Sequence, residues 1–305
     1  MNTDWFLIVN PTSGNGKSKK SWQHISTLLT NQGIRFSFAF TAYSKHESEL
    51  VQQAIKNGFT KIISVGGDGT LHHIVNGIMS QKFVETNTIQ LAVIPIGTGN
   101  DWVKTYNIPA KIEKSILNII QGQSILQDIG KLKTENNTIT YFNNVAGIGY
   151  DGYVVNKLEK LKKFGGIAYL LSGISGLLFY KKTEFKIEIN NKTFTEKCLM
   201  TIFGLCKFSG GGMQFTKDVN PSDGLLDITI AKNLTLLDLI FNLPKLYNGK
   251  IVNHKKVTTY KTNFLKVTPV SSIDKPFIQA DGELINSGSV EVTIIKKAIQ
   301  FIVPV

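Results

Sequence analysis

Gly66-Gly67-Asp68-Gly69-Thr70 follows directly on the apolar run 62–65 and precedes Leu71, Ile74, Val75 and Ile78 at helical spacing. Three glycines around one carboxylate let backbone approach a ligand closely, and a helix starting there offers free amides and a positive dipole end to a phosphate. Asp68 then stands within reach of a phosphate-bound metal or an attacking hydroxyl. A plain strand-to-helix turn is the competing reading, but it needs fewer residues able to take positive φ. A second loop, Gly97-Thr98-Gly99-Asn100-Asp101-Trp102, leaves the apolar run 91–96 and again offers amides, a hydroxyl and a carboxylate. A third, from Asn10 to Ser18, follows the apolar run 6–9. Its tail mimics a Walker A loop but carries Pro11 six residues before Lys17, where that loop needs a glycine. Three such loops describe a nucleotide phosphate cradle and point to phosphoryl transfer, where catalysis is mostly positioning and charge neutralisation by magnesium.

The elements that must hold these loops alternate. Strands are predicted over 6–9, 36–40, 61–65 and 91–96, and helices over 22–32, 47–56, 70–79 and 111–121. Repeated β–α units imply a parallel sheet covered by helices, with ligands beyond the carboxyl ends of the strands. After about residue 130 the pattern changes to β-rich runs over 141–142, 185–189, 198–203, 226–230, 264–270, 277–280, 290–295 and 299–303, which suit an antiparallel sandwich. Apolar helices are predicted over 167–180 and 236–246, the second bent or ended near Pro244. The domains are therefore expected to be 1–130, α/β and nucleotide-binding, and 131–305, β-rich, with the last strand able to return to the first domain. The second half carries two further acidic turns, Asp281-Gly282-Glu283 after the run 277–280, and Asn220-Pro221-Ser222-Asp223-Gly224. Either is also readable as a solvated hairpin turn.

The chain has 305 residues, 42% of them hydrophobic, which is enough apolar material for two buried cores. Its formal charge of +12 favours an anionic partner. The excess is lysine, and Arg35 is the only arginine. Guanidinium forks are the usual readers of guanine edges, so no nucleic-acid partner is expected. Cys198 and Cys206 have neither a disulfide framework nor metal-ligand spacing, which suits a reducing cytoplasm. The uncharged stretch 164–180 is short, and four glycines interrupt it, so no membrane span is predicted.

The order of motifs resembles the diacylglycerol kinase catalytic-domain family, and most closely its soluble bacterial lipid kinases. The resemblance rests on Asn10-Pro11 with Ser13-Gly14, Gly66 to Thr70 with Asn76-Gly77, and Pro95 with Gly97 to Asp101. It continues through Asp128 with Gly130, Gly210 to Met213, Asp223 with Asp227, and Asp281-Gly282-Glu283, and so covers essentially the whole chain. It implies an α/β N-terminal domain, a β-sandwich C-terminal domain and ATP in a cleft between them. It further implies nucleotide contacts from Asn10, Pro11, Thr12, Ser13, Gly14, Thr41, Gly66, Gly67, Asp68, Gly69, Thr70, Leu71, His72, Thr98 and Glu283. By the same resemblance Asp281 is the general base that takes the proton of a lipid hydroxyl, with Asp68 its rival. A structural magnesium site falls to Asp223 and the carbonyls of Asn220 and Leu225, supported by Asp128 and Asp101. The implied activity is ATP- and Mg²⁺-dependent transfer of the γ-phosphoryl group to a lipid alcohol, with diacylglycerol giving phosphatidic acid. A sphingoid base or NAD as acceptor, or a non-catalytic sensor, stays open. The chain departs from the family pattern at His72-His73, where Asn-Glu is usual. Adjacent helical residues point about 100° apart, so a two-histidine metal site is not expected.

A peripheral enzyme reaching a membrane-resident alcohol needs an apolar surface and cations for anionic headgroups. The apolar helices at 167–180 and 236–246, with lysines at their ends, are candidates, although apolar helices more often pack in a core. The expectation is a cytoplasmic protein peripheral to the inner face of the membrane. A homodimer stays open.

Overall fold

The computed structural model describes residues 2–159, 176–177 and 180–305. The chain divides into two compact units, Met1–Ile129 with Lys296–Val305, and Gly130–Ile295. The first begins β1 (Asn2–Val9), α1 (Lys17–Asn31), β2 (Phe36–Phe40), α2 (His46–Lys56), β3 (Phe59–Gly66), α3 (Asp68–Ser80), β4 (Gln90–Pro95), α4 (Asp101–Thr105), α5 (Ile112–Gln121) and β5 (Gln123–Thr134). Strands β2, β1, β3 and β4 lie side by side in that order, all parallel. Because β2 lies on one side of β1 and β3 on the other, the chain reverses its direction of winding between β1 and β3. Ligand crevices of open α/β sheets form at such a point. The strands read as unbroken apolar runs because both faces are covered. On one face Leu7, Val9, Ile63, Val65, Ala92 and Ile94 meet Ile25 and Leu29 of α1 and Ile116 and Ile119 of α5.

The other face belongs to α2 and α3, which bury Val51, Ala54 and Ile55, and Leu71, Ile74, Val75 and Ile78. These two helices touch through Gly77. A Cβ there would lie 2.3 Å from Val51 Cγ1 and 2.7 Å from the Ser48 carbonyl oxygen.

The second unit holds β6 (Ile139–Phe142), β7 (Val145–Gly149), α6 (Tyr150–Glu159), β8 (Thr183–Ile189), β9 (Lys192–Cys198), β10 (Met200–Gly204) and β11 (Leu226–Ala231). It continues through α7 (Leu236–Tyr247), β12 (Val257–Thr262), β13 (Phe264–Pro269), β14 (Phe277–Ala280), β15 (Glu283–Ser287) and the start of β16 (Val290–Val303). One antiparallel sheet runs β12-β11-β10-β7-β14-β15. In the other, the first half of β16 pairs with β13, β13 with β8 and β8 with β9, all antiparallel. The expected sandwich is present.

Two details differ from the sequence reading. The runs at 290–295 and 299–303 are one strand, bent at Lys297, whose φ is +49°. Its last residues pair in parallel with β4, Phe301 opposite Leu91, so they belong to the first unit. Pro244 does not end its helix, which continues to Tyr247. A proline removes the bond to the carbonyl four residues back, here Ile240, and that residue lies on the exposed side where water can serve. The helix predicted over 167–180 lies largely outside the described residues. Among the described residues no helix is long and apolar enough to cross a membrane.

The Gly77 contact is testable. Two of its neighbours are backbone atoms that cannot swing away, so Gly77→Ala is expected to lower stability by about 1–3 kcal/mol despite alanine's better helix propensity. A lower urea midpoint with an unchanged slope checks this.

Candidate active site

In the first unit, four loops leave the same edge of the sheet. Register places Val9 opposite both Phe40 and Val65, and Gly66 opposite Pro95, so the loops starting at Asn10, Thr41, Gly67 and Ile96 emerge together. Asn10 ties three of them. Its Nδ2 donates to Glu47 Oε1 and Thr70 Oγ1, both at 3.1 Å, and its Oδ1 accepts from the Thr12 amide at 3.1 Å and hydroxyl at 2.8 Å. Thr41 N–H donates to the Val9 carbonyl at 2.9 Å.

The two glycine loops lie back to back. A Cβ on Gly97 would sit 2.8 Å from Gly67 Cα, a separation only glycine permits on that side. Asp68 joins them: Oδ2 accepts from the Asp101 amide at 3.0 Å and Oδ1 from the Trp102 amide at 3.3 Å. The carboxylate thus caps α4, whose residue before the helix, Asn100, makes no side-chain cap. Trp102 is buried and donates from Nε1 to Gln127 Oε1 at 3.0 Å, which anchors α4 to β5. Asp101 is also buried, paired with Lys104 at 2.6 Å. The Asp128 carboxylate accepts from the Lys297 amide at 2.6 Å, at the bend of β16.

The start of α3 has no side-chain cap at Gly67, whereas at α1 the amides of Gly16, Lys17 and Ser18 already donate to the carbonyls of Thr12, Gly14 and Ser13. The first turn of α1 contains no acid, while Lys17, Lys19 and Lys20 stand in or beside it. The Leu71 and His72 side chains are buried, so a ligand at this turn meets the backbone of residues 66–70 rather than those two side chains. The His72 and His73 rings are 5.1 Å apart at 73°, and His72 Nε2 lies 3.3 Å from Asn76 Nδ2. Thr98 is exposed on its loop.

In the second unit, Asp281 and Gly282 form the two-residue turn between β14 and β15, with Ala280 opposite Glu283. Their φ angles of +52° and +83° make it a type I′ turn, the kind whose twist matches a hairpin. The turn is a hairpin, as its plain reading held, yet the Asp281 carboxylate is bound rather than solvated. Oδ2 accepts from the Asn143 amide at 3.2 Å, and Oδ1 from the amides of Asn144 and Val145 at 3.0 and 3.2 Å.

Sequence reasoning missed the residues behind this turn. Gln279 Oε1 accepts from the Gly282 amide at 2.9 Å, and its Nε2 donates to Asp151 Oδ2. Burial pushes the Asp151 carboxyl up to about 6, partly opposed by the Gln279 bond. The available signal was an acid at the start of α6, directly after the wholly buried strand β7.

The Asn220–Gly224 turn offers oxygen donors. Asp223 Oδ1 accepts from the Leu225 amide at 3.0 Å, and Oδ2 lies 2.8 Å from Lys261 Nζ. Asp227 reaches the same ammonium at 3.6 Å, and its buried Oδ2 has no hydrogen-bond donor. Burial lifts this carboxyl to about 6 against the pull of Lys261. Among the described residues no three acidic, His or Cys side chains cluster as a ready metal site. A hard ion that keeps several waters needs only one or two carboxylates and carbonyls, and the buried Asp227 Oδ2, which meets the Lys261 ammonium at 3.6 Å, is an oxygen such an ion would take over from the lysine. The donor set fits such an ion.

An α/β unit whose α3 starts without a side-chain cap beside a winding reversal, followed in the chain by an antiparallel sandwich, fits a phosphotransferase. Residues 4–132 match the diacylglycerol kinase catalytic domain, and residues 144–303 the YegS C-terminal NAD kinase beta sandwich-like domain. Across 284 residues the chain is 31% identical to a diacylglycerol kinase of Bacillus subtilis (strain 168), covering 91% of this chain and 88% of that protein. It is 28% identical to a diacylglycerol kinase of Staphylococcus carnosus (strain TM300), covering 91% and 87%. A crystal structure titled as a diacylglycerol kinase from Bacillus anthracis str. Sterne superposes with a TM-score of 0.73 over 98% of this chain and 96% of that one, at 19% identity, which shows the shared fold. The chain belongs to the diacylglycerol kinase catalytic-domain family and is a kinase with an alcohol group as acceptor.

Asp151 supplies a pH test. Its folded value lies above the ordinary carboxylate value near 3.8, so the native state holds the proton more tightly and loses stability as pH rises through the window from about 4 to about 6. Asn keeps an acceptor for Gln279 without the charge. Relative to wild type, Asp151→Asn is expected to gain stability across that window and to hold the gain above it. Thermal midpoints of both proteins from pH 4 to 8 check this; parallel curves would show that Asp151 does not titrate there.

Proposed function

We propose that the protein transfers the γ-phosphoryl group of ATP to the hydroxyl of diacylglycerol, giving phosphatidic acid and ADP. The observation that carries this reading is the pair of glycine loops stapled by Asp68 at the winding reversal, where the start of α3, with no side-chain cap at Gly67, offers backbone suited to a triphosphate beside the loop 10–14. Two relatives at about 30% identity bear the name of that activity. In the reaction the lipid oxygen attacks the γ-phosphorus, a new O–P bond forms, the bond from the γ-phosphorus to the β–γ bridging oxygen breaks, and the hydroxyl proton passes to a carboxylate.

Asp281 is assigned as that carboxylate. Three amides fix its direction, and a transition state in which bond cleavage leads proton transfer asks little basicity of it. Asp68 is its rival, with two oxygens that accept from the amides of Asp101 and Trp102. Glu283, half-buried at the start of β15, is assigned to the nucleotide side. Asp223 and Asp227, with the carbonyls of Asn220 and Leu225, would hold Mg²⁺ in the second unit. Magnesium travelling with ATP supplies charge neutralisation on the phosphates.

Asp281→Asn is expected to lower turnover by about 100-fold or more, with nucleotide affinity little changed, since losing a general base typically costs roughly 10²–10⁴. Chelation of magnesium should bring transfer to background. The decisive assay supplies labelled ATP, magnesium and a panel of diacylglycerol, a sphingoid base and NAD in mixed micelles. Label in diacylglycerol supports the reading, and label in another alcohol reassigns the acceptor. Label in none leaves a nucleotide- or lipid-binding sensor. If Asp68→Asn abolishes transfer while Asp281→Asn is mild, the base is misassigned.

A further inference from the structure

Glu47 is the buried acid of α2, only 3% exposed, and it reaches the first of the four edge loops through Asn10. A carboxylate can only accept, so it admits the amino end of the Asn10 amide and excludes the carbonyl end. Nδ2 donates to Glu47 Oε1 and to Thr70 Oγ1, at 3.1 Å each, which engages both of its hydrogens and turns Oδ1 toward Thr12. There Oδ1 takes the Thr12 amide at 3.1 Å and the Thr12 hydroxyl at 2.8 Å, while the Asn10 carbonyl takes the Ser13 amide at 3.2 Å. The stretch from 10 to 13 is therefore wound on one residue. Turning that amide over would set Oδ1 against the carboxylate and leave the Thr12 donors facing another donor.

The same carboxylate gives a hydroxyl its direction. Thr70 Oγ1 accepts from Asn10, so its own proton points away from Asn10, with Ser13 Oγ 3.5 Å away. A buried acid beside this edge would repel a phosphate, and its place there is explained by a task that only an acceptor can perform. With histidine at 73, where the family pattern has glutamate, α3 holds no acid but Asp68, and the acid that meets Asn10 comes from α2. Ser48 fastens α2 to α3 beside it, its hydroxyl donating to the His73 carbonyl at 2.6 Å.

We propose that Glu47 is a positioning residue for nucleotide binding: its carboxylate fixes the Asn10 amide, and through it the shape of the loop 10–13 and the direction of the Thr70 hydroxyl that a phosphate would meet. The inference rests on the reading that ATP binds at this edge of the first unit. Glu47 also stands in the first turn of α2, where a negative charge suits the helix dipole. That role depends on charge, whereas positioning of Asn10 depends on reach.

Two substitutions separate them. Glu47→Gln keeps the reach and an acceptor oxygen without the charge, and Glu47→Asp keeps the charge but is one methylene short. Titration of the full-length variants with ADP and with ATP, in magnesium and without lipid, is expected to show Glu47→Asp weakened by about tenfold or more, the scale of losing a buried hydrogen bond to a charged group. Glu47→Gln should stay within about threefold of wild type. In an Asn10→Ala background Glu47→Asp should change affinity by less than about twofold, because the group it acts through is gone. Unchanged affinity in Glu47→Asp would overturn the proposal. So would an equal loss in both backgrounds, or a Glu47→Gln variant weaker than Glu47→Asp, which would assign the effect to charge. Wild type that binds neither nucleotide would sink this proposal together with the reading of ATP as donor. Nucleotide binding that responds as expected, with no phosphate reaching diacylglycerol, leaves Glu47 in its role and removes only the acceptor.

Discussion

Two hydrogen bonds that Asp68 accepts from the amides of Asp101 and Trp102 organise the carboxyl edge of the sheet in the first unit. Parallel strands alone deliver their loops to one edge without fixing how those loops pack against each other. Here the carboxylate completes the start of α4, while Gly67 and Gly97 bring the two backbones into contact that any Cβ on Gly97 would prevent. Held this way, the loops leave the first-turn amides of α3 outside the staple. Charge-assisted bonds to backbone amides are among the stronger neutral-donor contacts, and a carboxylate at a helix start gains further from the helix dipole.

The second unit repeats the device with different parts. Asp281 sits in the left-handed region within a hairpin turn and grips three successive amides of the loop entering β7. Behind it Gln279 links the turn to Asp151, a carboxyl held against its preferred ionisation by burial. A turn bound on both sides has little freedom to reorient. The proton-accepting role proposed for Asp281 would benefit from that restriction, because near-attack geometry is where positioning contributes most to rate.

The apolar periodicities at 62–65 and 91–96 and the glycines behind them made the parallel sheet and the glycine loops at its carboxyl edge legible, because buried parallel strands must read as continuous apolar runs. Asp281 was legible as chemistry by family resemblance, and the Asp-Gly pair signalled its turn. Less was visible where partners are distant in the chain. Glu47 is a buried acid that receives Asn10 from 37 residues away, and Gln279 reaches across 128 residues to Asp151. Single residues of these types carry no periodic signature. The side chains of Leu71 and His72 follow the apolar face of α3 into the interior, although family resemblance placed them among the nucleotide contacts.

The order of motifs along the chain therefore determined the family and the chemistry available, since those depend on residue types at short spacing beside predictable strands. Tertiary structure alone decided what each carboxylate does at rest: Asp68 caps α4, Asp128 holds the bend at Lys297, and Asp227 lies buried with an oxygen lacking a donor. It also decided that one face of α7 meets the core while the other stays exposed. The reason is the same throughout. Local sequence sets which groups exist and which way a helix or strand repeats, whereas the partner of a carboxylate and the burial of an apolar side chain depend on which distant segment folding brings against it.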